Sequence, residues 1–290
     1  MTTLVRDLLE HLSLEQLEDN LFRGGSRKLG GKSIFGGQVL GQALVAADQT
    51  IEGRLAHSLH AYFLRPGDPD LSVIYKVERL RDGRSFTTRR VTAIQRERPI
   101  FAMAISFQIS EEGFEHQMTM PDVPGPEGLL STVELRRQFS KKLPETLREV
   151  LTAERPIELR PVVADDPLHT APRPPAQAVW LRAGSPLPEQ PSLHQALLAY
   201  ASDFNLLDTA LLPHGISFFQ PEVQAASLDH AMWFHRPFRM DDWLLYSMDS
   251  PSACGNRGLA RGNIFSADGR LVASVAQEGL IRRRENIEGR

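Results

Sequence analysis

The chain of 290 residues sets 33 Lys and Arg against 36 Asp and Glu, a formal net charge of −3. That near balance gives no basic footprint for nucleic acid, and no apolar run approaches the roughly 20 residues that a membrane helix needs. The single cysteine, Cys254, excludes an intramolecular disulfide, and the N-terminus lacks a charged-then-apolar leader, so a soluble cytoplasmic protein is expected.

In chain order, Leu4 to Leu21 has the apolar spacing of an amphipathic helix. A glycine-rich stretch from Gly24 to Gly37 then leads into a second predicted helix over Gln38 to Gln49. From Ala56 onward the pattern is strand-like. Leu71 to Leu80 and Ser85 to Gln95 flank Arg81-Asp82-Gly83-Arg84, a hairpin turn, and Phe101, Met103, Ile105 and Phe107 alternate as a half-buried strand does. The stretch from Pro121 to Pro191 is proline-rich, and segments such as Pro172-Arg173-Pro174-Pro175 continue neither a helix nor a central strand. Within it, Thr132 to Leu151 is predicted to form one helix. A third helix is expected from Leu193 to about Leu212, followed by strands at Gln224 to Pro237, Asp242 to Ser250, Gly258 to Ser266 and Arg270 to Leu280. The expected organisation is a first unit over 1–120, an ordered connector over 121–191, a second unit over 192–286 and a tail over 287–290.

The two units echo each other at a distance of about 170 residues, as a tandem duplication would. Tyr62-Phe63-Leu64-Arg65-Pro66 reappears as Trp233-Phe234-His235-Arg236-Pro237, and the same offset carries Tyr75 onto Tyr246 and Arg90 onto Arg261. Each copy follows a helix containing Gln-Ala-Leu, at Gln42 and at Gln195. One helix followed by an antiparallel sheet able to wrap it is the hot-dog arrangement. The predicted fold is therefore an α+β double hot dog.

Polar residues stand out where this pattern wants apolar ones. Asp203 lies in the helical stripe of Ala196, Ala199, Tyr200, Leu206, Leu207 and Ala210, where an unpartnered carboxylate would be costly to bury. The last strand runs Leu271, Ala273 and Val275 on one face and then presents Gln277, which reads as either a strand end meeting solvent or a polar group aimed into a cavity. The constant offset places Ser106 opposite it in the first unit. Ser227, on the strand leading into Asp229-His230, gains interest only if Asp203 and Gln277 converge on it.

These residues lie in longer blocks. Phe35 to Ala43 (FGGQVLGQA), His60 to Asp68 (HAYFLRPGD) and Leu80 to Phe86 (LRDGRSF) resemble the first half of bacterial acyl-CoA thioesterase II. Tyr200 to Asp203 (YASD), Leu228 to Pro237 (LDHAMWFHRP) and Gln277 to Gly279 (QEG) resemble its second half. The resemblance implies a double hot dog that hydrolyses fatty acyl-CoA to free acid and coenzyme A, without cofactor. It implies Asp203, Ser227 and Gln277 around a nucleophilic water; the family usually shows Thr where this chain has Ser227. Asp203 would act as general base, with Ser227 and Gln277 holding the water. Gly37 and Gln38, at a helix N-terminus, are candidate substrate contacts through backbone N–H groups. His57 is another candidate contact, with a structural hydrogen-bonded histidine as the alternative. No metal is expected, because His57 and His60 are read as lying on opposite strand faces, and so are His230 and His235.

Other readings fare less well. No Gly-x-Ser-x-Gly elbow supports an acyl-enzyme route. Gly31-Lys32-Ser33 mimics a phosphate loop but has Ser26 where a glycine is required. A hot-dog enoyl-CoA hydratase would need a histidine where Asp208 stands. A non-catalytic acyl-CoA sensor would need an output element, and none is visible. Since each unit leaves a sheet edge to cover, a homodimer or homotetramer is expected.

Overall fold

Two helices, α2 (Gly36–Asp48) and α5 (Pro191–Ser202), are buried on nearly every side and organise the molecule. A helix apolar all round has to be enclosed, and these two pack on each other between the halves of one sheet. Gly37 and Gly41 of α2 approach the backbone carbonyls of Tyr200 and Ala196 in α5. By contrast α1 (Thr3–Leu12) is amphipathic, buries Val5, Leu8 and Leu12, and has Thr2 as its N-cap. The structure is a computed structural model that describes all residues except 30–32, 141–144, 165–170, 221 and 285–290. The tail over 287–290, and positions 31 and 32 of the phosphate-loop mimic, lie outside the described residues.

The first half of the sheet contains β1 (Glu15–Glu18), β2 (Leu21–Gly24), β3 (Leu55–Phe63), β4 (Val73–Asp82), β5 (Phe86–Gln95) and β6 (Arg98–Gln108). The second contains β7 (Ile157–Pro161), β8 (Ala176–Ala183), β9 (Val223–Ser227), β10 (Asp229–Phe234), β11 (Leu244–Cys254), β12 (Arg257–Ser266) and β13 (Leu271–Arg283). All thirteen form one sheet in the order β1-β2-β4-β5-β6-β3-β10-β13-β12-β11-β8-β7, with β9 paired to β13. The halves join where β3 meets β10 antiparallel. There Tyr62 faces Asp229, His60 faces Ala231 and Ser58 faces Trp233, so the pairing maps onto itself when the units are exchanged. The duplication extends to side chains: Glu78–Arg90 and Asp249–Arg261 form matching ion pairs across β4–β5 and β11–β12.

Several expectations change in detail. The predicted first helix stops at Leu12, and the residues after it form the β1–β2 hairpin. The stretch from Thr132 to Leu151 is not one helix. It contains α3 (Thr132–Gln138), with a capping box between Ser131 and Glu134, and α4 (Glu145–Thr152). The proline-rich stretch also contributes β7 and β8 to the sheet, where no strand was expected. β8 itself holds no proline: Pro175 immediately precedes it and the next, Pro186, lies beyond its end, so the prolines flank the strand rather than interrupt it. The stretch is anchored where Trp180 Nε1 donates to Pro124 O at 2.8 Å.

Candidate active site

Asp203 does not sit inside a helix. It is the C-cap of α5, and the next turns are short 3-10 segments, Leu207–Ala210 and Leu212–His214. The α-helix breaks at Asn205, whose φ of 62° lies in the left-handed region that Asn tolerates. Leu206, Leu207 and Ala210 still bury themselves, which is why the apolar stripe outruns the helix.

This position brings Asp203 against the N-terminus of α2. Gly37 N donates to Asp203 Oδ2 at 2.9 Å, where the exposed donors and positive end of the helix dipole favour a carboxylate. The approach requires glycine twice. A Cβ on Gly36 would meet Asp203 Oδ2 at 2.8 Å, and one on Gly37 would meet Tyr200 O at 2.2 Å. Phe35 and Phe204 stack at 4.6 Å between ring centroids, and both meet Tyr200 edge-on. They flank the Gly37–Asp203 contact and hold the two helix ends together.

Gln277, on β13, is 1% exposed and donates from Nε2 to Asp203 Oδ1 at 2.8 Å. It is therefore no strand end meeting solvent. The same Nε2 lies 3.3 Å from His230 Nδ1, and His230 Nε2 lies 2.9 Å from Ser202 Oγ. Ser202 Oγ in turn donates to Ala199 O at 2.9 Å, and Tyr246 donates to Ser202 O at 2.9 Å. His230 is fully buried, and burial pulls its pKa down to about 4 against the opposing pull of the Asp203 charge, so at neutral pH the ring is uncharged. Among the described residues Gln277 Oε1 has no hydrogen-bond partner.

The remaining expected residues divide. Ser227 ends β9 opposite Gly279, two residues beyond Gln277 on β13, so register puts it on the face that Gln277 occupies. It hydrogen-bonds to neither Asp203 nor Gln277. Gln38 is buried but turned toward the preceding loop, accepting from Arg27 N at 3.2 Å and donating to Gly25 O at 3.3 Å. Its backbone N–H goes to Phe35 O, and that of Gly37 goes to Asp203. His57 stands apart on the outer face of the sheet, 2.8 Å from Ser106 Oγ and edge-on to Phe86. A bulge between Ala56 and Ser58 turns it to the side that His60 also occupies, not the opposite one.

The internal match to Gln277 also shifts. Phe63 pairs with Phe101, whereas Phe234 pairs with Ala273, so the final strands differ by one more residue than the preceding ones. The extra residue lies in the β12–β13 hairpin, where Phe265 pairs with Leu271; in the first unit Ile94 pairs with Pro99. The counterpart of Gln277 is therefore Ile105, not Ser106. By the same register Leu59 is the counterpart of His230.

His230, Ser202 and the aromatic pair Phe35–Phe204 escaped the sequence reading. For His230 the signal was present: Leu228, His230, Met232 and Phe234 alternate, so the histidine belongs to the buried face of β10.

Comparison with known proteins matches residues 26–108 to a family described as acyl-CoA thioesterase N-terminal domain, and residues 146–280 to one described as acyl-CoA thioesterase. The chain is 45% identical over 283 residues to acyl-CoA thioesterase 2 of Haemophilus influenzae, covering 97% of this chain and 99% of that protein. Among solved structures it is similar to an acyl-CoA thioesterase II from Mycobacterium marinum, with a TM-score of 0.77 and 43% identity over 95% of this chain and 98% of that one. A hot-dog protein of unknown function from Alicyclobacillus acidocaldarius superposes with a TM-score of 0.77 at 18% identity, covering 98% of this chain and all of that one, a likeness of fold alone.

Proposed function

The chain belongs to the acyl-CoA thioesterase II family and hydrolyses acyl-CoA thioesters; on that premise we propose that Asp203 is the general base that activates the attacking water. The substrate in this reading is a fatty acyl-CoA, cleaved to free acid and coenzyme A without an acyl-enzyme.

The observation that carries the reading is the pairing of Asp203 with a buried Gln277 whose Oε1 has no partner among the described residues. Each oxygen of Asp203 accepts one hydrogen bond from the protein and keeps a lone pair free. A water between Asp203 and Gln277 Oε1 donates one hydrogen to each, and its lone pair is left to attack the thioester carbonyl carbon. As the C–O bond forms, the water proton passes to Asp203. When the tetrahedral intermediate collapses the C–S bond breaks, and the coenzyme A thiolate leaves and takes up a proton. Ser227, on the same face, offers a hydroxyl to the water or the incoming carbonyl.

Thiol release from a long-chain acyl-CoA tests this. Asp203→Asn keeps the hydrogen-bonding shape but not the basicity, and its kcat is expected to fall at least about 10²-fold with the fold intact. Hydrolysis by Asp203→Asn at the wild-type rate would remove the base from this mechanism. Ser227→Ala is expected to cost less, about tenfold, because one of several hydrogen bonds is lost.

A further inference from the structure

We infer that Ser202 and His230 are positioning residues that set which end of the Gln277 amide faces the reacting water. The inference rests on the reading of Asp203 and Gln277 given above. An amide presents an acceptor at one end and two donors at the other, and the two orientations have nearly the same shape. Only the orientation with Oε1 toward the reacting side lets Gln277 accept from the water.

The orientation follows from counting hydrogens along the network. The Ser202 hydroxyl has one hydrogen, which goes to Ala199 O at 2.9 Å. Its oxygen, 2.9 Å from His230 Nε2, therefore acts as acceptor there, and Nε2 carries the imidazole proton. Nδ1 of the neutral ring is then a bare acceptor. Facing it at 3.3 Å, Gln277 supplies an N–H, and its second N–H goes to Asp203 Oδ1 at 2.8 Å. Turning the amide over would set Oε1 against two acceptors at once, the imidazole lone pair and the carboxylate. Both amide hydrogens are thus committed, and Oε1 is the atom left over. Tyr246, donating to Ser202 O, holds the α5 end from which this chain of bonds begins.

Two substitutions at His230 separate positioning from packing. His230→Leu installs the residue that occupies the counterpart position in the first unit, Leu59, where it packs against Ile105. It keeps the burial and removes the acceptor. His230→Asn returns a carbonyl oxygen near the place of Nδ1. With acyl-CoA as substrate, kcat of His230→Leu is expected to fall about 10²-fold with KM within about twofold, while His230→Asn recovers to within about tenfold of wild type. Ser202→Ala, which frees the tautomer, is expected to lie between them, and Ser202→Thr, which restores the hydroxyl, to recover. Equal losses in His230→Leu and His230→Asn, or a wild-type rate in His230→Leu, would overturn the inference. Asp203→Asn, run in parallel, separates the two failures. A wild-type rate there overturns the base and with it the positioning role, whereas a lost rate beside an active His230→Leu overturns the positioning role alone.

Discussion

The C-terminal ends of α2 and α5 occupy equivalent places in the two units, and they have been finished in opposite ways. At the end of α2, Arg89 enters from β5, 2% exposed, and its guanidinium donates to Thr50 Oγ1, Thr50 O and Arg81 O while pairing with Asp82. A cation at the negative end of a helix is electrostatically favourable, and the unit is closed by it. On the strands beside Arg89 the positions equivalent to Gln277 and His230 are apolar, Ile105 across the strand pair and Leu59 beyond. In the second unit the counterpart of Arg89 is Ala260, which pairs with Gln277, and the small side chain leaves room for the amide and for His230. There the helix ends in a carboxylate steadied by the N-terminus of α2, itself contributed by the other unit. The two units therefore share a scaffold but not the finish of their helices. One end is closed by a buried cation, and the end proposed to be catalytic takes its main-chain donor from the helix of the closed unit.

The most severe way to break this contrast is to write the first unit into the second. His230→Leu with Gln277→Ile is expected to abolish thiol release, by more than about 10³-fold, while circular dichroism and oligomeric behaviour stay as in wild type. Residual hydrolysis near the wild-type level would mean that the polar pair is dispensable.

Next comes the contact that joins the units. Gly37→Ala drives a Cβ into Tyr200 O and the Phe35 ring, at 2.2 and 2.5 Å, where backbone cannot yield as a flexible side chain does. Overpacking of this kind costs about 3 kcal/mol, so Tm is expected to drop by about 5 °C or more and hydrolysis to fall with it as Asp203 is displaced. A variant with unchanged Tm would show that the helices slide apart at little cost.

Removing the buried cation should separate stability from chemistry. Arg89→Met is expected to destabilise by about 2 kcal/mol through the unsatisfied Thr50 and Arg81 carbonyls, with kcat within about twofold of wild type. A large loss of kcat would instead reveal coupling between the two helix ends.

A pH-dependent effect, absent at neutral pH, follows from His230. Its pKa in the folded protein, about 4, lies below the unfolded value of 6.5, so the unfolded chain takes up the proton first as pH falls. Stability is then lost progressively from pH 6.5 down to about 4, by up to about 3 kcal/mol from this group, and is unaffected above that window. Between pH 7 and 4 wild type should therefore lose stability relative to His230→Leu by up to about 3 kcal/mol, and a stability difference independent of pH would contradict the assignment. Smallest of all, Arg261→Ala, which removes one exposed copy of the duplicated ion pair, should leave Tm unresolved from wild type.

Much of this was legible in the sequence, and what was missed has identifiable causes. Strand alternation is local, so β4, β5, β6 and β11 to β13 lie close to where the pattern puts them. Helix ends were less legible, because Leu206, Leu207 and Ala210 prolong an apolar stripe through turns that are no longer α-helical. Asp203 and Gln277 could be singled out because a polar residue on an apolar face is costly unless partnered. The site was misread where it depended on register. One added residue in the β12–β13 hairpin moves the counterpart of Gln277 from a serine to Ile105, and a one-residue slip exchanges the two faces of a strand. The bulge beside His57 reversed a face in the same way.

The sequence by itself determined that one helix-and-sheet unit is written twice, and that the second copy carries acid and amide groups on faces meant for burial. Both follow from residue type and short-range periodicity. Only the tertiary structure decided that Asp203 meets Gly37, 166 positions away along the chain, and that Ser202, His230 and Gln277 lie along one line of hydrogen bonds. Those contacts arise where two helix ends cross and two strands register, so they depend on hairpin length and helix packing, which no local pattern encodes.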